Sequence, residues 1–478
     1  MNAVSEDRKG PVVALGAMVF LVVAALVLGG GGSREAGGVP DAALAAIETG
    51  ADHIDAEDLA VRIMAGASGL ALVDVRPAAE YAQWHLPQAV HMTVPELLGA
   101  PGDALFARNP ELVVLYSNGP AHPAQAWIEL QRRGRTNVLV LDGGLDEFRA
   151  RVLTPPSLRG AADEATAKAG AQLFALRRAF FLRAGQPAPA TVKPWATDPA
   201  DLTAPTVVST RWLAERLGKV TVVDVRENKA DHERMHVRGA VHLPVKGMRD
   251  KFGEKELFLQ PADKLAARFG ALGIGNDTPV VLYAEDKMQD ATQVALAFLR
   301  AGHRRLAILE GGLLRWAADQ LPMDGAAVAV TPAQYAPIAD ADDFTITVDQ
   351  LAQRVQARDV EILDVRPTDF FVGDKSTEAR PGHIPGARNR LFSKDLVRTE
   401  SGHWWLAADE LRKQYDALGF APDDSIVVNC RTGHTASTTY FLLRHMLGYK
   451  DVKWFNGSWT EWAERKDLPA ETGTGAKT

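Results

Sequence analysis

Ser425-Ile-Val-Val-Asn-Cys-Arg-Thr-Gly-His-Thr435 joins an apolar, strand-like run to a short polar loop and then to a helix-compatible stretch. Its sixth residue, Cys430, is the only cysteine of the 478-residue chain. A free thiol ordinarily packs as a small buried hydrophobe. Here it ends a strand, is flanked by Arg431 and His434, and precedes Gly433, which can take the positive φ that curls a backbone around an anion. Backbone N–H groups and the positive end of a helix dipole at such a junction favour thiolate over thiol. Cys430 therefore reads as a nucleophile.

Working outward, the surroundings of Cys430 occur three times. Leu72-Val-Asp-Val-Arg76, Val222-Val-Asp-Val-Arg226 and Leu363-Asp-Val-Arg366 each end an apolar run. A His-to-Ala element follows each, at His85–Ala89, His236–Ala240 and His383–Ala387, and each repeat closes on a turn at Gly143-Gly144, Gly311-Gly312 or Gly457-Ser458. Counting back from the first Gly of the turn by 26, 27 and 27 residues aligns Ser117, Ala284 and Cys430. Only the third repeat has a thiol, so the first two read as catalytically silent.

Short Val/Ile/Leu runs alternate with helical stretches such as Ala124–Arg133, Ala291–Ala301 and Thr438–Leu447, which predicts α/β domains built on mainly parallel sheets flanked by helices. Ligands of such sheets gather at the carboxyl ends of strands, where Cys430 stands. The expected organisation is a hydrophobic segment at 1–33, domains at 52–153, 205–321 and 344–478, and linkers at 154–204 and 322–343. The first linker holds a helix-compatible stretch from Ala161 to Arg183, whose Leu173, Phe174, Leu176, Phe180 and Phe181 need burial; the second reads as an extended surface connector.

Gly382-His-Ile-Pro-Gly-Ala387 and Val452-Lys-Trp-Phe-Asn-Gly-Ser-Trp-Thr-Glu-Trp462, with Ile362-Leu-Asp-Val-Arg366 and the Cys430 loop, resemble the rhodanese, or sulfurtransferase, family. Asn456 stands where an acidic or small residue is more usual. The three-repeat chain is similar to three-domain thiosulfate sulfurtransferases of the bacterial periplasm. That resemblance implies transfer of sulfane sulfur from thiosulfate to a thiol or cyanide through a Cys430 persulfide. Arg directly after Cys is similar to the thiosulfate-using branch; the mercaptopyruvate branch, with Gly there, is a lesser alternative. The resemblance also implies substrate binding by Arg431, Thr432, Gly433, His434 and Thr435, and a site-shaping role for Asp364, Arg366 and Arg380. Asp364 and Arg366 recur in the silent repeats, so their first role reads as structural, and so does that of His383. Thr432 and Phe370 stand where two-domain members carry cations, and Arg380 or a residue of the second repeat is expected to compensate.

Two other classes share features of this pattern. A Cys-loop phosphatase or arsenate reductase needs an Arg closing the loop, where this chain has Thr435 and Ala436. A non-catalytic, anchored binding module or sulfur-carrier relay would use Cys430 only to accept sulfur for a protein partner.

At the N-terminus, Arg8 and Lys9 precede 18 uncharged residues, Pro11–Leu28, and then Gly29–Ser33. Such a run reads as a signal peptide or a retained signal anchor, with the repeats outside the cytoplasm and membrane contact only through this segment. A single Cys forbids an intrachain disulfide, and an unpaired thiol in an oxidising compartment points to chemistry. The net charge of −7 gives no support for nucleic-acid partners. No cofactor and no metal are expected, because no clustered His accompanies the one Cys.

Overall fold

The computed structural model describes residues 39–155, 164–182, 195, 198–285, 287–399 and 402–474. The apolar segment read at 1–33 lies outside them, and no helix of the described residues is long and apolar enough to cross a membrane. Two compact units divide between Arg177 and Arg178.

The first unit carries a sheet of β1 (His53–Ile54), β2 (Leu70–Asp74), β3 (Val90–His91), β4 (Leu112–Tyr116) and β5 (Val138–Leu141), in the order β1-β5-β4-β2-β3. The second unit carries two more. One holds β6 (Thr206–Val208), β7 (Thr221–Asp224), β9 (Val241–His242), β12 (Val280–Tyr283) and β13 (Leu306–Leu309), in the order β6-β13-β12-β7-β9. Beside it β8 (His236–Val237) pairs with β14 (Met323–Asp324), and β10 (Arg249–Phe252) forms a hairpin with β11 (Lys255–Leu259). The other holds β15 (Thr345–Ile346), β16 (Glu361–Asp364), β17 (Arg388–Asn389), β20 (Ser425–Asn429) and β21 (Asp451–Phe455), in the order β15-β21-β20-β16-β17, with a hairpin of β18 (Leu396–Thr399) and β19 (Gly402–Trp405). Every pairing in the third sheet is parallel, and the three orders are the same topology repeated. Parallel strands covered on both faces read as unbroken apolar runs. Accordingly Val113–Tyr116, Val280–Tyr283 and Ile426–Val428 are wholly buried.

The repeated Asp-x-Arg explains itself. Asp74, Asp224 and Asp364 are fully buried and pair with Arg76, Arg226 and Arg366 at 2.6, 2.6 and 2.7 Å. Each guanidinium then donates to a carbonyl of, or just before, the His element: Trp84 at 2.7 Å, Met235 at 2.7 Å and Gly382 at 2.8 Å. The ion pair thus ties the end of a central strand to the segment that follows it. His85, His236 and His383 complete this corner by stacking on Tyr81, His232 and Phe371 at centroid distances of 3.9, 4.1 and 3.7 Å.

Within the second unit the two domains share one apolar core, to which Val223, Leu282 and Phe298 contribute from one side and Val428, Phe441 and Trp454 from the other. The Met288–Arg300 helix lies against the His434–Phe441 helix. Where they meet, Thr292 Oγ1 stands 2.8 Å from Ser437 Oγ and 3.1 Å from Thr438 Oγ1, so these buried hydroxyls satisfy one another.

Two details differ from the sequence reading. The helix after Cys430 starts at His434, four residues before the apolar periodicity does, because Gly433 at φ +81° turns the loop directly into the first helical turn; it ends in a π-type turn over Leu442–Met446. The linker helix, Glu164–Leu182 among the described residues, lies within the stretch read from Ala161 to Arg183, with Leu176, Phe180 and Phe181 buried and Leu173 and Phe174 half-buried. Finally, two antiparallel hairpins, β10–β11 and β18–β19, are added to the parallel sheets, and one of them reaches the Cys430 loop.

Candidate active site

β20 is central in its sheet, with Asn429 opposite Asp364 of β16, so Cys430 emerges at the carboxyl edge between β16 and β21. The thiol residue is 2% exposed. The four carbonyls from residue 430 to 433 are all engaged by donors. Cys430 O accepts the Trp459 N–H at 3.0 Å, and Arg431 O accepts the Thr460 N–H at 2.9 Å. Thr432 O accepts Arg249 Nη2, and Gly433 O accepts the Trp454 indole N–H at 2.9 Å. With these carbonyls satisfied from outside the loop, the N–H groups of the first turn of the His434–Phe441 helix still have no intrahelical acceptor. The Cys430 N–H itself donates to Ser458 Oγ at 3.1 Å. The Trp-rich signature around Trp454, Ser458 and Trp459 is therefore the frame of the loop. An added Cβ at Gly433 would lie 2.5 Å from Asn456 O, which explains glycine at that position.

Arg431, Thr432 and His434 line a cavity of about 340 Å³. Arg431 is exposed at its rim, 3.5 Å from Thr377 Oγ1. Thr435 is half-buried on the first helical turn. His434 Nε2 stands 2.9 Å from the carboxylate of Asp290, on the Met288–Arg300 helix of the neighbouring domain. Asp364 accepts Asn429 Nδ2 at 3.2 Å, which steadies the residue before the thiol, and Arg366 lies 5.0 Å over the Trp459 ring. Arg380 does not join them. Its Nη1 and Nη2 donate to Leu468 O at 2.7 Å and to Trp462 O and Arg465 O at 3.1 and 3.0 Å, which ties the guanidinium to the end of the Ser458–Glu464 helix and the turn beyond it.

The opposite wall belongs to the middle domain: Glu227, Val245, Lys246, Arg249, Lys255, Glu256 and Gln293. Burial pushes the Arg249 guanidinium down to about 10, opposed by its electrostatic interactions with Cys430 and Glu256. The β10–β11 hairpin that carries Arg249 is fastened to the Cys430 domain at three points. Lys255 pairs with Glu378, and Arg249 reaches Thr432 O. The Asn456 carboxamide, oriented to satisfy both its ends, donates to Leu257 O at 2.9 Å and accepts the Leu259 N–H at 3.0 Å. An amide there acts as an extra peptide unit on the hairpin edge, which accounts for the unusual Asn. The one signal for the hairpin in the sequence is Gly253, a turn residue between Phe252 and the apolar run Leu257–Leu259.

The family model for the Rhodanese-like domain matches residues 55–151, 209–319 and 347–465. The chain belongs to the rhodanese family. It is 31% identical over 288 residues to a sulfur carrier protein, TtuD, of Thermus thermophilus, covering 56% of this chain and 96% of that protein. It is 30% identical over 276 residues to the thiosulfate sulfurtransferase of Gallus gallus, covering 54% and 93%. Among solved structures, the anaerobic ergothioneine biosynthesis enzyme of Chlorobium limicola superposes with a TM-score of 0.51 at 18% identity, covering 88% of this chain and 99% of that one, a likeness of fold. Family and relatives together support a sulfurtransferase.

In the first rhodanese domain the aligned Ser117 hydroxyl donates to Gly119 O and is engaged within its own loop. In the middle rhodanese domain the cleft at Ala284 holds only about 10 Å³, scarcely one water, and is lined by Met288, Gly311 and His403. His403 lies on β19, so each of the two neighbouring domains sends a hairpin to the other's loop. One of those hairpins leaves a cavity, and the other closes it. Ala284→Cys is therefore expected to create no second sulfur site: after incubation with a sulfur donor, intact-mass measurement should still find one added sulfur per chain, whereas two would mean that the cleft opens.

Proposed function

We propose that this rhodanese transfers sulfane sulfur from thiosulfate to a thiol or cyanide through a persulfide on Cys430. The observation that carries the reading is the loop in which four successive carbonyls are engaged by donors from elsewhere in the fold, next to a lone buried thiol and beside a cavity bearing Arg431, Arg249, Lys246 and Lys255. The Cys430 thiolate attacks the outer sulfur of thiosulfate; the new S–S bond forms as the old one breaks, and its electron pair leaves with sulfite. Loop N–H groups stabilise the anionic persulfide. Cyanide or a thiolate then attacks the outer persulfide sulfur, giving thiocyanate or an acceptor persulfide and restoring the Cys430 thiolate. Arg431 holds the sulfonate, Thr435 turns its hydroxyl toward the sulfur, and His434, braced by Asp290, adds donor capacity at the mouth.

A second reading draws on the relative named as a sulfur carrier: the acceptor is a protein thiol, and the cavity is where its tip enters. We extend the proposal to location, with residues 1–33 exporting or anchoring the chain outside the cytoplasm. Intact-mass measurement after incubation with thiosulfate, mercaptopyruvate or polysulfide tests the donor, with one sulfur gained from thiosulfate as the expected result. Gain from mercaptopyruvate alone would replace the donor, and a persulfide discharged only by a protein would favour the carrier reading.

A further inference from the structure

Gln293 is wholly buried on the Met288–Arg300 helix and lines the cavity beside Arg431, Thr432 and His434, yet neither its amide nitrogen nor its amide oxygen has a hydrogen-bond partner among the described residues. Arg249 Nε, buried on the same wall, lacks one as well. Folded proteins satisfy nearly all such groups, and an orphaned carboxamide in a core is destabilising unless something else completes it. Both orphans belong to the domain that has no nucleophile, and both face the loop that has one.

We propose that Gln293 recognises the oxyanion end of the sulfur donor, so that the silent middle domain sets donor specificity for a thiol it does not carry. The Gln293 amide N–H group and Arg249 Nε–H donate to sulfonate oxygens, while Cys430 faces the outer sulfur. The Gln293 oxygen takes a water, for which a 340 Å³ cavity has room beside a five-atom anion. The wall then distinguishes donors that end in an oxyanion from polysulfides, which offer only sulfur. This inference rests on the sulfur-transfer reading above and names the residue that selects its donor.

Gln293→Leu and Gln293→Met separate recognition from support. A carboxamide that only held the fold together would cost stability when removed, whereas one kept for a ligand should leave the melting temperature unchanged or raise it. The expected result is a KM for thiosulfate raised about ten- to hundredfold, the usual span for a hydrogen bond to a charged group. Persulfide formation from inorganic polysulfide should stay within about twofold of the parent's. Sulfite binding, read as a thermal shift of the unloaded protein, should weaken by a similar factor. This arm holds even if the parent takes no sulfur from thiosulfate, a result that would defeat the proposed donor and not the oxyanion contact. Sulfite affinity unchanged in both variants, equal losses with both donors, or a lowered melting temperature in both would overturn the inference.

Discussion

Cys430→Ser is expected to keep the fold and lose sulfur transfer by about three orders of magnitude or more, to the uncatalysed background. Serine fits the space, because the residue is buried against a loop whose N–H groups can donate to a hydroxyl as readily as to a thiol. Its backbone N–H still donates to Ser458 Oγ, and its carbonyl still accepts from Trp459, so the frame is untouched. Chemistry fails for a reason independent of the frame: an alkoxide is not available at neutral pH, and an oxygen cannot store sulfane sulfur as a persulfide. Because the chain has one cysteine, the mass readout is unambiguous. Thiocyanate production from thiosulfate and cyanide, followed with the melting temperature, checks both halves. Retained turnover in the Ser variant would remove Cys430 from the mechanism altogether.

The half of the site nearest Cys430 was legible because it is local. Strand, thiol, glycine turn and helix follow one another from Ser425 to Phe441, and the residue types at each step are those the geometry requires. The Asp-x-Arg corner is legible for a different reason: its triple occurrence, twice without a thiol, marks it as structural. The other half of the site was not legible. Arg249 reaches Thr432 from 183 residues away, and Gln293 and Asp290 sit on a helix whose pattern records only that it is buried. Contacts of that range are fixed by how two domains share a core, and a single sequence carries no periodic signature of it. Arg380 illustrates the reverse error. A cation close to the signature reads as a ligand for an anion, but a helix end and the turn beyond it offer it three carbonyls.

Asp364→Ala should be the most destabilising single change at the site, by about 3–5 kcal/mol, because it leaves a buried charge unpaired. Asp364 accepts from the Arg366 backbone N–H at 3.0 Å, from Arg366 Nη2 at 2.7 Å and from Asn429 Nδ2 at 3.2 Å. Truncating it strands a guanidinium that is 4% exposed and retains only the Gly382 carbonyl. The loss is a large share of the roughly 5–15 kcal/mol that holds a domain folded. It also frees Asn429, so persulfide formation in the protein that remains folded should slow. Removing the charge and its partner together, as Asp364→Leu with Arg366→Met, should cost less than Asp364→Ala alone, since no uncompensated ion is left and the Met side chain still packs under Trp459. Urea unfolding followed by tryptophan fluorescence distinguishes these cases, with Trp454, Trp459 and Trp462 all buried around the loop. If the double variant were the less stable of the two, the pair would be contributing net attraction and the corner would be held by charge; the expected order makes it a register pin, placing the end of β16 and, through Asn429, the thiol beside it.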